Sequence, residues 1–230
     1  MSRAEREEAA AEFIGTFALV FAGTGAIVID ETTGGAVTHV GIALTFGLIV
    51  LAMIYTVGDI SGVHLNPAVS LGFVAARRFP LREAIPYIAS QCGGALAASG
   101  LLLLLFPQNK MLGTTVPAGS AIQSFVLELI LTAILIFVIL GVSTGAAEKG
   151  ITAGIVVGAV IGLEAMFAGP ICGASMNPTR SLGPALISQH LSGLWIYLLA
   201  PVTGAMLGMV GCRCVREKSC CSAMPSQTAS

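Results

Sequence analysis

The sequence predicts an all-α membrane protein with six transmembrane helices and two re-entrant half-helices, arranged as an inverted 3+3 repeat. Three observations predict it. Hydrophobic residues make up 55% of the 230-residue chain and charged residues 10%, far from the balance of a water-soluble domain. Six apolar stretches approach the length that crosses a bilayer core. Finally, one phrase is written twice. Ile60-Ser61-Gly62-Val63-His64-Leu65-Asn66-Pro67-Ala68-Val69-Ser70-Leu71-Gly72 returns 111 residues later as Ile171-Cys172-Gly173-Ala174-Ser175-Met176-Asn177-Pro178-Thr179-Arg180-Ser181-Leu182-Gly183, with seven of thirteen positions identical.

Residues 1–8 form a short N-terminal segment with charges of both signs. The first apolar stretch, 9–29, has no small-residue cleavage site after it, so it reads as an uncleaved span and not as a signal peptide. Further spans are expected at 39–58, 84–106, 121–142, 150–168 and 193–211. Twenty-eight glycines suit helices that pack closely in lipid. Segments 67–76 and 178–187, which begin at the two Asn-Pro prolines, are too short to cross. At about 1.5 Å per residue each is about 15 Å long, so two placed end to end match a hydrocarbon core of about 30 Å.

Inversion of a repeat needs an odd number of spans in each half, which divides the membrane domain 9–211 into 9–106 and 121–211 and leaves 212–230 as a Cys-rich tail. Both halves begin alike, Glu12-Phe13-Ile14-Gly15-Thr16-Phe17 against Glu128-Leu129-Ile130-Leu131-Thr132-Ala133. Arg3, Arg6, Arg77, Arg78, Arg82, Lys149, Arg213, Arg216 and Lys218 fall on the side that holds both termini, and only Lys110 and Arg180 on the other. The positive-inside rule then makes both termini cytoplasmic in a multi-pass protein of the cell membrane.

Short Gly/Pro-interrupted segments at matching places in two halves point to a solute path at the midplane. A half-helix that ends inside the bilayer turns its unpaired N–H groups and partial positive charge on whatever lies before it. Asn66 and Asn177 take the N-cap position, with Pro67 and Pro178 in the first turn, where a missing N–H is no loss. If the Asn oxygens cap their own helices, the amide N–H groups are left for a passing oxygen, which makes a central constriction. The residues before each Asn, 62–65 and 173–176, are expected to be extended. Gly62, Val63, His64, Cys172, Gly173 and Ser175 would offer carbonyls to the lumen, since unwound backbone at this depth needs a wet cavity or burial in protein. Opposed dipole ends repel cations, and solutes that reorient in single file break a proton wire.

The phrases Asn66-Pro67-Ala68 and Asn177-Pro178-Thr179, with Gln91-Cys92-Gly93-Gly94 and Pro201-Val202-Thr203-Gly204-Ala205, resemble the aquaporin superfamily, the major intrinsic proteins, across residues 9–211. The resemblance implies a six-helix hourglass, a passive pore in each subunit and a homotetramer. It also implies an outer selectivity filter of four side chains, which correspond here to Phe46, Ala165, Ala174 and Arg180. Arg180 stands out by itself, because an Arg beside a positive helix end is costly unless carbonyls hold it. There is one departure, in that Thr179 replaces the second Ala. Ala165 stands where strict water channels of the family carry His. With Phe46 the one aromatic of the four, the mouth should be wider and less polar. The expected solutes are water with glycerol, urea, ammonia or metalloid hydroxides such as arsenite, as in an aquaglyceroporin-like or metalloid-permeable bacterial-type member.

A carboxylate inside a span marks a functional position. Glu12 and Glu128 are expected to accept hydrogen bonds from the unwound loops and hold them open, with a proton relay as the alternative. Glu164 either lines the outer vestibule or bonds to nearby loop backbone. His64 orients its loop, or titrates as a pH gate. Cys92 reads as helix packing and Cys172 as reachable from the outer vestibule. The tail cysteines Cys212, Cys214, Cys220 and Cys221, kept reduced in the cytoplasm, are open to lipidation, to a soft metal or metalloid, or to no specific role. No cofactor and no resident metal is expected. Without a basic patch interleaved with aromatics, nucleic acid is not a partner. No nucleophile–base pair or phosphate loop points to an enzyme. A secondary transporter that uses the same half-helices is the alternative function.

Overall fold

The computed structural model describes residues 2–143 and 147–215. Its helices are α1 (Arg3–Thr33), α2 (Thr38–Ser61), α3 (Pro67–Ala75), α4 (Leu81–Leu105), α5 (Ala121–Val142), α6 (Ala147–Cys172), α7 (Pro178–Ser188) and α8 (Leu194–Val215). Six of these, all but α3 and α7, are long and apolar enough to cross a membrane.

Several helices run beyond their apolar stretches, α8 as far as Val215, and in α1 and α6 the local reasons are visible. α1 takes in the charged residues before it because a capping box starts it. Ser2 Oγ accepts from Glu5 N (3.1 Å), and Glu5 Oε2 accepts from Ser2 N (2.8 Å). Gly34, at φ 69°, ends the helix. α6 continues past Ala168 to Cys172 with Pro170 inside it. A proline there removes the bond to the carbonyl four residues back, which is that of Met166. That oxygen is taken up instead by His39 Nε2 at 2.8 Å.

The packing repeats with the sequence. α1 packs on α4 as α5 packs on α8, α2 and α6 cross each other, and each half-helix packs on the last helix of the other repeat, α3 on α8 and α7 on α4. Small residues permit these crossings. A Cβ on Gly47 would lie 2.5 Å from the Gly158 carbonyl oxygen, and one on Gly204 would collide with that of Leu129. Large apolar side chains such as Ile85, Leu104 and Ile122 face outward, whereas Glu12, Gln91, Glu128 and Glu164 are buried. Polar groups inside and apolar groups outside suit a lipid solvent.

The ends sort onto two faces. Tyr87 Oη donates to Ser61 O at 3.0 Å, Arg78 Nη1 to Ser143 Oγ at 3.1 Å and Arg213 Nη2 to Ala75 O at 3.2 Å, which gathers the start of α1's partner α4 with the ends of α2, α3, α5 and α8. On the opposite face Asn109 Nδ2 donates to Glu31 Oε2 at 2.7 Å.

Candidate conduction site

The two half-helices meet end to end. Asn66 Oδ1 accepts from Ala68 N at 2.8 Å, and Asn177 Oδ1 accepts from Thr179 N at 3.0 Å and from Arg180 N at 3.4 Å. The amides then cross over. Asn66 Nδ2 donates to Met176 O and Asn177 Nδ2 to Leu65 O, each at 2.8 Å. The expectation that both N–H groups of each amide stay free is therefore corrected. One N–H ties each Asn to the opposite loop, which fixes the separation of the half-helices, and the second N–H is left over.

The loops before the Asn residues also differ from expectation. They are not simply extended: Gly62, Val63 and Leu65 in one, and Gly173, Ala174 and Met176 in the other, have φ between 41° and 83°. Alternation of this kind brings successive N–H groups to one acceptor. Glu12 takes His64 N and Ser61 Oγ on Oε1, and Leu65 N and Gln91 Nε2 on Oε2, at 2.7–2.8 Å. Glu128 takes Ser175 N at 2.7 Å and Met176 N at 2.8 Å. Bonds to a buried carboxylate offset the strain of left-handed backbone at non-glycine residues.

Matching hydroxyls brace the loops from behind. His64 Nδ1 lies 3.0 Å from Ser70 Oγ, and the imidazole stacks on Phe73 with ring centroids 4.8 Å apart. At the equivalent place Ser175 Oγ lies 2.6 Å from Ser181 Oγ, which accepts from Thr115 Oγ1 at 2.7 Å.

A narrow cavity runs past this junction. Leu19, Val50, Ile54, Leu135, Val157 and Ile161 form an apolar wall, and Val63, His64, Asn66, Ser175 and Asn177 a polar stripe. About 50 Å³ of it is open to the centres of water-sized molecules. At about 10–15 Å³ for each water, that is room for a short single file. A wider vestibule of about 370 Å³ lies beyond, walled by His39, Thr114, Val116 and Gly173 among others. Phe46, Ala165, Ala174 and Arg180 line both spaces and so form the neck between them. Arg180 is 2% exposed, donates from Nη1 to Gly113 O at 2.9 Å and stands 4.9 Å from the Phe46 ring centroid. That is cation–π range. Gly23 makes room for the Phe46 ring, which a Cβ there would strike.

Residues 2–210 match the family model described as Major intrinsic protein. The chain belongs to the major intrinsic protein family. Among curated relatives it is 47% identical over 199 residues to Aquaporin NIP1-1 of Oryza sativa subsp. japonica, covering 86% of this chain and 70% of the relative. It is 46% identical to Nodulin-26 of Glycine max, covering 86% and 73%. Among solved structures, the aquaglyceroporin from Plasmodium falciparum superposes with a TM-score of 0.80 at 29% identity, covering 89% of this chain and 93% of that one.

Four expectations need correction within this major intrinsic protein. Cys172 ends α6, is fully buried and lines neither space, because the helix runs on to residue 172. Gly62 is the C-cap of α2 and lies outside both spaces. Glu164 lines neither space, and neither of its oxygens has a hydrogen-bond partner among the described residues. In the tail, Cys212 is buried and disulfide-bonded and is no free thiol, and Cys214 is free and exposed. Cys220 and Cys221 lie outside the described residues.

Other members of the site were missed. Ser70 and Ser181 stand four residues after each Asn and are identical in the two phrases, so the repeat itself carried the signal. Gln91 had a weaker one, as an amide inside a span. Gly113 and Thr115 sit in a connecting segment where nothing in the local sequence marks them.

Proposed function

We propose that this major intrinsic protein is a passive channel for water and small uncharged polar solutes that excludes ions and protons. The observation that carries it is the meeting of two helix N-termini inside a narrow lumen, with one amide N–H of Asn66 and one of Asn177 left for a passing oxygen. Solutes are handed from carbonyls of the loop residues Val63, His64, Gly173 and Ser175 to these two donors, against an apolar wall that offers no competing bond. The facing positive ends of α3 and α7 repel cations, and Arg180 repeats that barrier at the neck. Glu12 and Glu128 hold the loops open.

Phe46, Ala165, Ala174 and Arg180 set the solute range as the outer filter. Ala165 presents only a methyl, so the neck accepts solutes larger than water. Glycerol is the first of these, given the likeness to an aquaglyceroporin, followed by urea, ammonia and metalloid hydroxides such as arsenite. The channel unit spans residues 9–211, and α8 carries the chain on to Val215 at the start of the tail 212–230. The Arg-rich face holding Arg3, Arg77, Arg78 and Arg82 is cytoplasmic by the positive-inside rule, so both termini are cytoplasmic and the vestibule opens outward from the cell membrane. Four subunits assemble, each with its own pore.

The test is stopped-flow light scattering on proteoliposomes, comparing water, glycerol, urea and arsenite. Rapid, non-saturating flux with weak temperature dependence is expected for water and at least one solute. Saturable, gradient-coupled flux would favour a transporter built on the same half-helices.

A further inference from the structure

Thr179 is where the second phrase departs from the first, which has Ala68 at the same place. Its side chain is 1% exposed and lines neither the lumen nor the vestibule. Its hydroxyl donates to Asn177 Oδ1 at 2.8 Å, while its own N–H donates to the same oxygen at 3.0 Å and that of Arg180 at 3.4 Å. Asn177 Oδ1 thus accepts from three donors. Asn66 Oδ1 accepts from Ala68 N at 2.8 Å, with no hydroxyl in the corresponding place. The two central amides are held unequally.

We propose that the Thr179 hydroxyl is a positioning group that locks the Asn177 amide with its oxygen turned to the helix end and its N–H groups turned to the lumen and to Leu65. Turning the amide over would set its NH2 against three donors and break the bond to Leu65 O. Bonds that feed one acceptor also polarise the amide, which strengthens its N–H donors. Thr179 therefore makes Asn177 the stiffer and stronger of the two central donors, on the side of the pore that adjoins Arg180. The extra methyl is incidental.

This rests on the channel reading, and Thr179→Val, Thr179→Ser and Thr179→Ala separate the two. Val keeps the shape and removes the hydroxyl; Ser keeps the hydroxyl and removes the methyl. Ala reproduces the first repeat and so is compatible with the half-helix. Each is reconstituted in proteoliposomes at matched density, and osmotic water permeability is read with the side-chain amide nitrogen resonance of Asn177 by solid-state NMR. The expected result is that Ser behaves as the parent. Val and Ala should lose about threefold in water permeability, the scale of one side-chain hydrogen bond, and shift and broaden the Asn177 resonance. If Val matches the parent, or Ser falls with Ala, or all four agree, the hydroxyl is not the positioning group. A parent protein that conducts no water would defeat the channel reading instead.

Discussion

Replacing Ala165 with His tests the neck directly. Ala165 lies between a lumen with about 50 Å³ open to water-sized molecules and a vestibule of about 370 Å³, facing Arg180 and Phe46. An imidazole there projects into the neck shared by the two spaces and adds a hydrogen-bonding group. Water, which needs about 10–15 Å³, still fits. Glycerol must push the ring or its neighbours aside, and forcing extra atoms into a packed space costs about 1–3 kcal/mol. Added to the barrier for entry, that slows glycerol about 5- to 150-fold, with water within about threefold of the parent. The assay is the ratio of glycerol to water permeability in one proteoliposome preparation, which cancels protein density. A ratio that stays at the parent's value would refute the assignment of Ala165 to the size-limiting ring.

Glu128→Leu leaves Ser175 N and Met176 N without their acceptor, at about 1–3 kcal/mol for each orphaned N–H. Water permeability should fall at least about tenfold at equal reconstitution, and an unchanged rate would mean that the loop holds itself. Glu164→Leu is expected to stabilise, because the buried carboxyl has no hydrogen-bond partner among the described residues. A gain of about 1–3 kcal/mol raises the thermal midpoint by several degrees in a scan of the detergent-solubilised protein, at about 2–4 °C per kcal/mol, and a lower midpoint counts against it. Gly204→Val drives side-chain atoms into the Leu129 carbonyl, while a Cβ at Gly100 meets nothing within 4 Å. The first should lose folded protein by size-exclusion chromatography. Gly100→Ala should gain about 0.5–1 kcal/mol from helix propensity, and similar behaviour of the pair would show that close approach of α5 and α8 is unimportant.

The sequence by itself determined the class, the helix order and the central pair. Apolar length sets a span whatever packs on it, and a phrase written twice carries its own symmetry, so Asn66 and Asn177 were legible without coordinates. The boundaries were less so. Charge at residues 3–8 hid the start of α1, and Pro170 hid the end of α6, because a capping box and the bond from His39 to Met166 O keep those helices going. Neither follows from local hydropathy.

Only the tertiary structure decided how the site is held. That each Asn spends one N–H on the opposite loop, and that Thr115 joins Ser181 and Ser175 in one chain of hydroxyls, depends on residues 66 to 112 positions apart reaching hydrogen-bond distance. The fate of Glu164 and Cys172 was likewise invisible. Residues near one another on a helix can face the lumen, the protein interior or the lipid, and rotation of α6 against its neighbours chose Ala165 for the neck and left Glu164 buried without a partner among the described residues. Periodicity assigns residues to a helix; packing assigns each one its surroundings.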